Sequence, residues 1–150
     1  AANASTINDG AAALVLASAE AVARLGLKPI GKFIAGADAA KAPEWFTTAP
    51  VGAIQAVLAK ASWNAAEVDL YEINEAFATV AMAPIEELGI PHAKVNVNGG
   101  ACALGHPIGA SGARILVTLI HALQARGLRK GVASLCIGGG EATAMAVELC

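Results

Sequence analysis

Three short stretches set chemically able side chains beside glycine or proline: Asn74-Glu75-Ala76-Phe77, Gly105-His106-Pro107-Ile108-Gly109 and Cys136-Ile137-Gly138-Gly139-Gly140. An imidazole can act as a general base near neutral pH, and a thiol can carry a proton or attack a carbonyl carbon. Pro107 biases His106 toward extended backbone, so the ring hangs on a defined, non-helical piece of chain. A histidine that only hydrogen-bonds its own loop is an equally open reading at this point. Cys136 stands at the carboxyl end of an expected strand, the edge where α/β folds hold their ligands. The plainer alternative is a small buried hydrophobe. The three glycines after it do not form a dinucleotide fingerprint, because a strand follows them and not a helix. Asn74 is expected to cap the helix after it, and from a strand end its amide can also point into a crevice above the sheet. His92, in a connection after Pro91, and His121, within a helix, have blander settings and are read as structural. Cys102 has a weaker case than Cys136, and Cys150 has no local context.

The elements that must position these residues follow from periodicity and punctuation. A continuous apolar run at Ala11–Ser18 suits a buried strand, followed by a short helix over Ala19–Gly26. Ile30–Asp38 and Val68–Ile73 read as strands. Val51–Ala61 reads as a helix whose first turn accepts Pro50. A second helix runs from Asn74 to about Leu88, closed by Gly89 and Pro91. Residues 95–112 are glycine-rich and read as an ordered loop. A long helix starts near Ser111 and ends at Arg126-Gly127, with Ile115, Leu116, Leu119, Ile120 and Leu123 at helical spacing. Gly131–Ile137 and Ala142–Leu149 flank the triple glycine as a hairpin. The pattern predicts an α/β fold: a five-stranded mixed sheet with helices on both faces.

Composition agrees with one well-cored domain over residues 1–150. Hydrophobic residues make up 56% and charged residues 15%, which excludes disorder and suggests a surface partly made to be covered. A net charge of −2 gives no reason to expect nucleic acid. The longest apolar runs fall short of the ~18–20 residues a membrane span needs, and the first residues carry no signal core. A soluble, cytoplasmic protein is expected. Three cysteines without CxxC spacing form neither a disulfide framework nor a metal pattern.

Taken together, NASTINDGAAALVLAS (3–18), NEAFA (74–78), KVNVNGGACALGHPIGASGARI (94–115) and GVASLCIGGGEATAMAVE (131–148) closely resemble the thiolase family, over essentially the whole chain. The resemblance is to the C-terminal half of a thiolase. The NVNGG and CIGGG forms are more similar to biosynthetic acetoacetyl-CoA thiolases than to degradative ones. It implies condensation of two acetyl-CoA to acetoacetyl-CoA plus CoA, and the reverse thiolysis, with CoA thioesters as substrates and no separate cofactor.

By the same resemblance, His106 activates a nucleophilic cysteine carried by the N-terminal half. Cys136 is the acid/base that moves the α-proton of the second acetyl-CoA. Asn74 holds a water that, with the histidine, binds the thioester oxygen, and the Gly138 N–H donates to the other oxyanion hole. Phe77, with Phe46 as a second candidate, lines the pantetheine or acyl pocket; plain core packing stays open for both. None of the three cysteines replaces the missing nucleophile, so the chain alone is expected to be inactive and to expose a face that packs against the first half. The resemblance also implies a tetramer in the intact enzyme. Two other readings compete. One is a non-catalytic thiolase-like module that binds acyl-CoA or a partner. The other is a hydrolase using Cys136 as nucleophile and His106 as base. Fatty-acid-elongating condensing enzymes share the fold but supply two histidines where this chain offers His106 and Cys136.

Overall fold

The structure, a computed structural model, describes residues 2–150. Four strands form one mixed sheet: β1 (Gly31–Ala40), β2 (Leu70–Ile73), β3 (Lys130–Cys136) and β4 (Glu141–Leu149), in the order β1-β4-β3-β2. β4 runs antiparallel to both of its neighbours, and β2 runs parallel to β3. The alternation of side chains along β4 decides which helix covers which face. Ala142, Ala144 and Ala146 turn toward α2 (Ala49–Ala61) and α3 (Ala78–Leu88), while Met145, Val147 and Leu149 turn toward α5 (Ser111–Arg126).

The long helices form for the expected reasons. In α2, Ile54, Val57 and Leu58 fall on one stripe and are buried against the alanine face, and Pro50 sits in the first turn. In α5, Ile115, Leu119, Ala122 and Leu123 make the stripe, and the helix stops at the left-handed Gly127. A short helix, α1 (Ala19–Leu25), is capped by the Ser18 hydroxyl but buries no residue. No described helix is long and apolar enough to cross a membrane.

Three expectations need correction. The sheet has four strands and not five, because Ala11–Ser18 forms no strand among the described residues. An apolar run becomes a strand only when a neighbouring backbone completes its ladder. Here the run has no ladder partner, and Val15 and Leu16 are 96% and 88% exposed. Asn74 does not cap α3, which begins at Ala78 with Phe77 at its N-cap position. The loop over 95–112 contains a short helix, α4 (Ala101–Leu104), and Val95 makes a single parallel bridge to Tyr71.

Candidate active site

Because β2 and β3 are parallel, their carboxyl ends lie on the same edge of the sheet. Ile73 pairs with Ser134, and the Asn74 N–H continues the ladder to the Ser134 carbonyl at 2.9 Å. Cys136, the last residue of β3, therefore lies on the same edge as Asn74.

The third motif reaches this edge from the loop between α4 and α5. His106 is tied at its backbone to the N-terminal segment: its N–H donates to the Thr6 carbonyl at 2.8 Å, and its carbonyl accepts from the Asn8 N–H at 3.5 Å. Its Nε2 lies 3.3 Å from the Asn74 Nδ2, and its Nδ1 lies 2.6 Å from the Ser111 hydroxyl. The proton positions follow from the partners. The Ser111 hydroxyl donates to the Pro107 carbonyl at 3.1 Å, so it accepts from a protonated Nδ1. The Asn74 Nδ2 can only donate, so Nε2 carries the lone pair. Both contacts give one tautomer, with Nε2 as the basic nitrogen. Burial, and then the Arg114 charge, push the His106 pKa below its ordinary value. The ring is thus neutral at neutral pH and able to take a proton.

Asn74 is fully buried, and its Oδ1 accepts no hydrogen bond from the described residues. Burial pushes the Cys136 thiol above its ordinary pKa, an effect its own backbone hydrogen bond partly opposes. No hydrogen bond joins Cys136 to His106 among the described residues. Gly138 sits in the turn between β3 and β4; Ile137 and Gly140 supply the turn's backbone bonds, and the Gly138 N–H has no backbone partner among the described residues. Phe77 and Phe46 meet edge to face with ring centroids 6.2 Å apart. Phe77 also packs against the core cluster.

The remaining candidates do not join this line. His92 and His121 are exposed, and so is Cys150 beyond β4. Cys102 lies near the site, but burial and the neighbouring Glu75 charge both raise its pKa, which disfavours the thiolate.

Several residues of the arrangement carried no clear sequence signal. Ser111 looked like the start of a helix, and its place five residues after His106 was the only hint. Asn96 was one letter in a glycine-rich string. It adopts a left-handed φ of 48° and bonds both backbone groups of Ile73, at 2.8 Å each. In the sequence, Asn3–Asn8 counts only as part of the family-like stretch 3–18, with no structural role assigned, yet it lines Phe77 and His106 through the bridges Ala4–Phe77 and Ile7–His106. Behind the site, Glu72 is buried with its carboxylate 3.8 Å from Arg114. Burial raises its pKa to about 7; the arginine only partly offsets this, and the Glu75 charge adds to it.

Two open hollows of about 460 and 390 Å³ flank this edge, one beside Asn8–Ala12 and Pro107–Ala110, the other beside Asp38–Ala40 and Ile137. Neither is lined by Asn74, His106 or Cys136; Asn74 is fully buried, and His106 and Cys136 are half-buried.

Comparison with known proteins gives one consistent answer. A family model described as thiolase, C-terminal domain, matches residues 27–149. The chain is 54% identical over 147 residues to a probable acetyl-CoA acetyltransferase of Dictyostelium discoideum, covering 98% of this chain and 36% of that protein. It is 52% identical over 147 residues to the cytosolic acetyl-CoA acetyltransferase of Mus musculus, covering 98% and 37%. The crystal structure of the Bacillus anthracis acetyl-CoA acetyltransferase superposes with a TM-score of 0.96 at 47% identity, over 99% of this chain and 38% of that one. The chain thus spans little more than a third of the length of these relatives. By this match the chain belongs to the thiolase family, and residues 27–149 form a thiolase C-terminal domain with the thiolase fold.

Proposed function

We propose that this chain is the acid/base half of an acetyl-CoA acetyltransferase, catalysing condensation of two acetyl-CoA to acetoacetyl-CoA plus CoA and the reverse thiolysis. The observation that carries the reading is the line Asn74–His106–Ser111 at the edge where Cys136 ends its strand. The names of the relatives support the acetyl-CoA specificity, and the NVNGG and CIGGG forms support the biosynthetic subclass. The substrates are CoA thioesters, and no further cofactor is needed.

In this reading the nucleophilic cysteine comes from an N-terminal portion outside these 150 residues. His106 Nε2 takes the proton of that thiol as its sulfur attacks the thioester carbon. The C–S bond to CoA then breaks, and CoA leaves as a thiol carrying the proton of Cys136, which is left as a thiolate while His106 keeps the proton it took. A thiolate at Cys136 next removes the α-proton of the second acetyl-CoA. The enolate carbon forms the new C–C bond at the acetyl carbonyl, and the nucleophile's sulfur leaves, recovering its proton from His106. A thiol is a weak base for a thioester α-proton, so the developing enolate needs fixed donors, each worth roughly 10²–10³ in rate. His106, protonated at Nε2 at this stage, and a water held by Asn74 serve one oxygen, and the Gly138 N–H serves the other. Phe77 and Phe46 border the acyl or pantetheine chain.

The exposed run at Val15 and Leu16 supports a site completed by that N-terminal portion. The chain alone is then inactive, and the intact enzyme is a tetramer in the cytoplasm. The test combines this chain with a separately expressed N-terminal thiolase half and follows CoA-dependent loss of acetoacetyl-CoA. Activity that His106→Ala and Cys136→Ala each abolish is the expected result. Thiolysis by the chain alone would sink the fragment reading, and halves that associate without activity would favour a non-catalytic binding module.

A further inference from the structure

The side chain after Asn74 reaches the loop that delivers His106. Glu75 accepts two hydrogen bonds, one on each carboxylate oxygen: from the Asn96 Nδ2 at 2.9 Å and from the Cys102 N–H at 3.0 Å. Asn96 opens this loop and grips both backbone groups of Ile73, the residue before Asn74. Cys102 lies in the first turn of α4, whose last residue, Leu104, stands two before His106. The loop is thus fixed at two points to the residues flanking the amide that meets the imidazole. Gly100 is shaped to this contact, because a Cβ there would overlap the Glu75 carboxylate.

We propose that Glu75 is a positioning residue for His106, its carboxylate fixing α4 and so the approach of the imidazole to Asn74. This rests on the reading of His106 as the base. Glutamine cannot replace the carboxylate, since both partners are donors and an amide offers one acceptor oxygen with an N–H group on its other side. A loop released from Glu75 lets the ring shift and admits water. A displacement of about 1 Å costs up to ~10²-fold in rate. Wetting also brings the imidazole, whose pKa burial lowers, back toward its ordinary value.

The experiment measures kcat, KM, their pH profiles and thermal midpoints in the two-part enzyme carrying Glu75→Gln, Glu75→Asp or Gly100→Ala, with His106→Ala as control. Glu75→Gln and Gly100→Ala are expected to lower kcat by about ten- to hundredfold with KM within about twofold. The acid limb of the kcat/KM profile should move to higher pH, with the thermal midpoint little changed. Glu75→Asp, which keeps two acceptor oxygens, should recover part of the loss. A folded Glu75→Gln with the original kcat and acid limb overturns the proposal. So does a loss accounted for wholly by the unfolded fraction. If Glu75→Gln does not fold, Gly100→Ala carries the same test, and an unmoved limb there is equally fatal. Full activity in His106→Ala would remove the reading of His106 itself and leave the Glu75 contacts as plain architecture.

Discussion

The interior of the sheet and its carboxyl edge are held together by different means. Between α2 and β4 the contacts are apolar and continuous, with Ile54, Val57 and the alanines of β4 buried. Along the edge, a few hydrogen bonds among Asn74, Glu75, Asn96, His106 and Ser111 set the geometry. Apolar packing spreads its energy over many weak atom contacts without a fixed direction. A hydrogen-bonded line does not, since each link depends on distance and direction. Damage to the interior should therefore appear as lost stability, and damage to the edge as lost rate.

The first way to break this contrast is Ile54→Ala, expected to cost about 2–5 kcal/mol through transfer and cavity terms. Urea unfolding should show it, while the folded fraction of the two-part enzyme keeps its kcat. Glu72 comes next. Its folded pKa of about 7 lies above the ordinary 4.5, so between these values the folded state holds a proton that the unfolded state has released. Its contribution to stability is complete below about pH 4.5 and is lost as pH rises through 7. The difference is on the order of 3 kcal/mol at ~1.4 kcal/mol per unit. Glu72→Gln should flatten that slope in unfolding curves taken from pH 4 to 8.

Ser111→Ala removes the acceptor that fixes the His106 tautomer. A roughly tenfold fall in kcat is expected, with a stability change of about 1 kcal/mol; an unchanged kcat would detach Ser111 from the chemistry. The smallest effect should come from Val15→Ser and Leu16→Ser. In this chain alone their unfolding free energies from urea curves should shift by no more than about 0.5 kcal/mol, because both side chains are exposed. If this run contacts the N-terminal portion, the same changes should weaken its binding in a pull-down or titration.

The interior was largely legible in the sequence. The stripe of α2, the stripe of α5 and the hairpin around Gly138-Gly139-Gly140 follow from periods and punctuation. The run at Ala11–Ser18 misled because its letters match those of a buried strand, and letters do not say whether a ladder partner exists. Asn74 misled more narrowly. An asparagine that caps a helix and one that meets an imidazole look alike until His106, 32 residues on, is placed beside it. Glu75 reaches Asn96 and Cys102 across 21 and 27 residues, and no periodic pattern announces such contacts. What resisted reading was the set of long-range polar contacts of the edge.

The parallel pairing of β2 with β3 has a kinetic consequence. β3 and β4 are joined by a short turn and can zip locally, whereas β2 meets β3 only after the chain closes a connection running from 74 to 129. Contacts of high sequence separation form slowly, because the entropy of closing the loop is lost before any pairing is gained. Asn74 leaves β2, Cys136 ends β3, and His106 rides on the connection between them. The site is therefore among the last features to assemble. During refolding, the Asn74–His106 contact should lag the return of helical signal, and the lag measures the closing of that one connection.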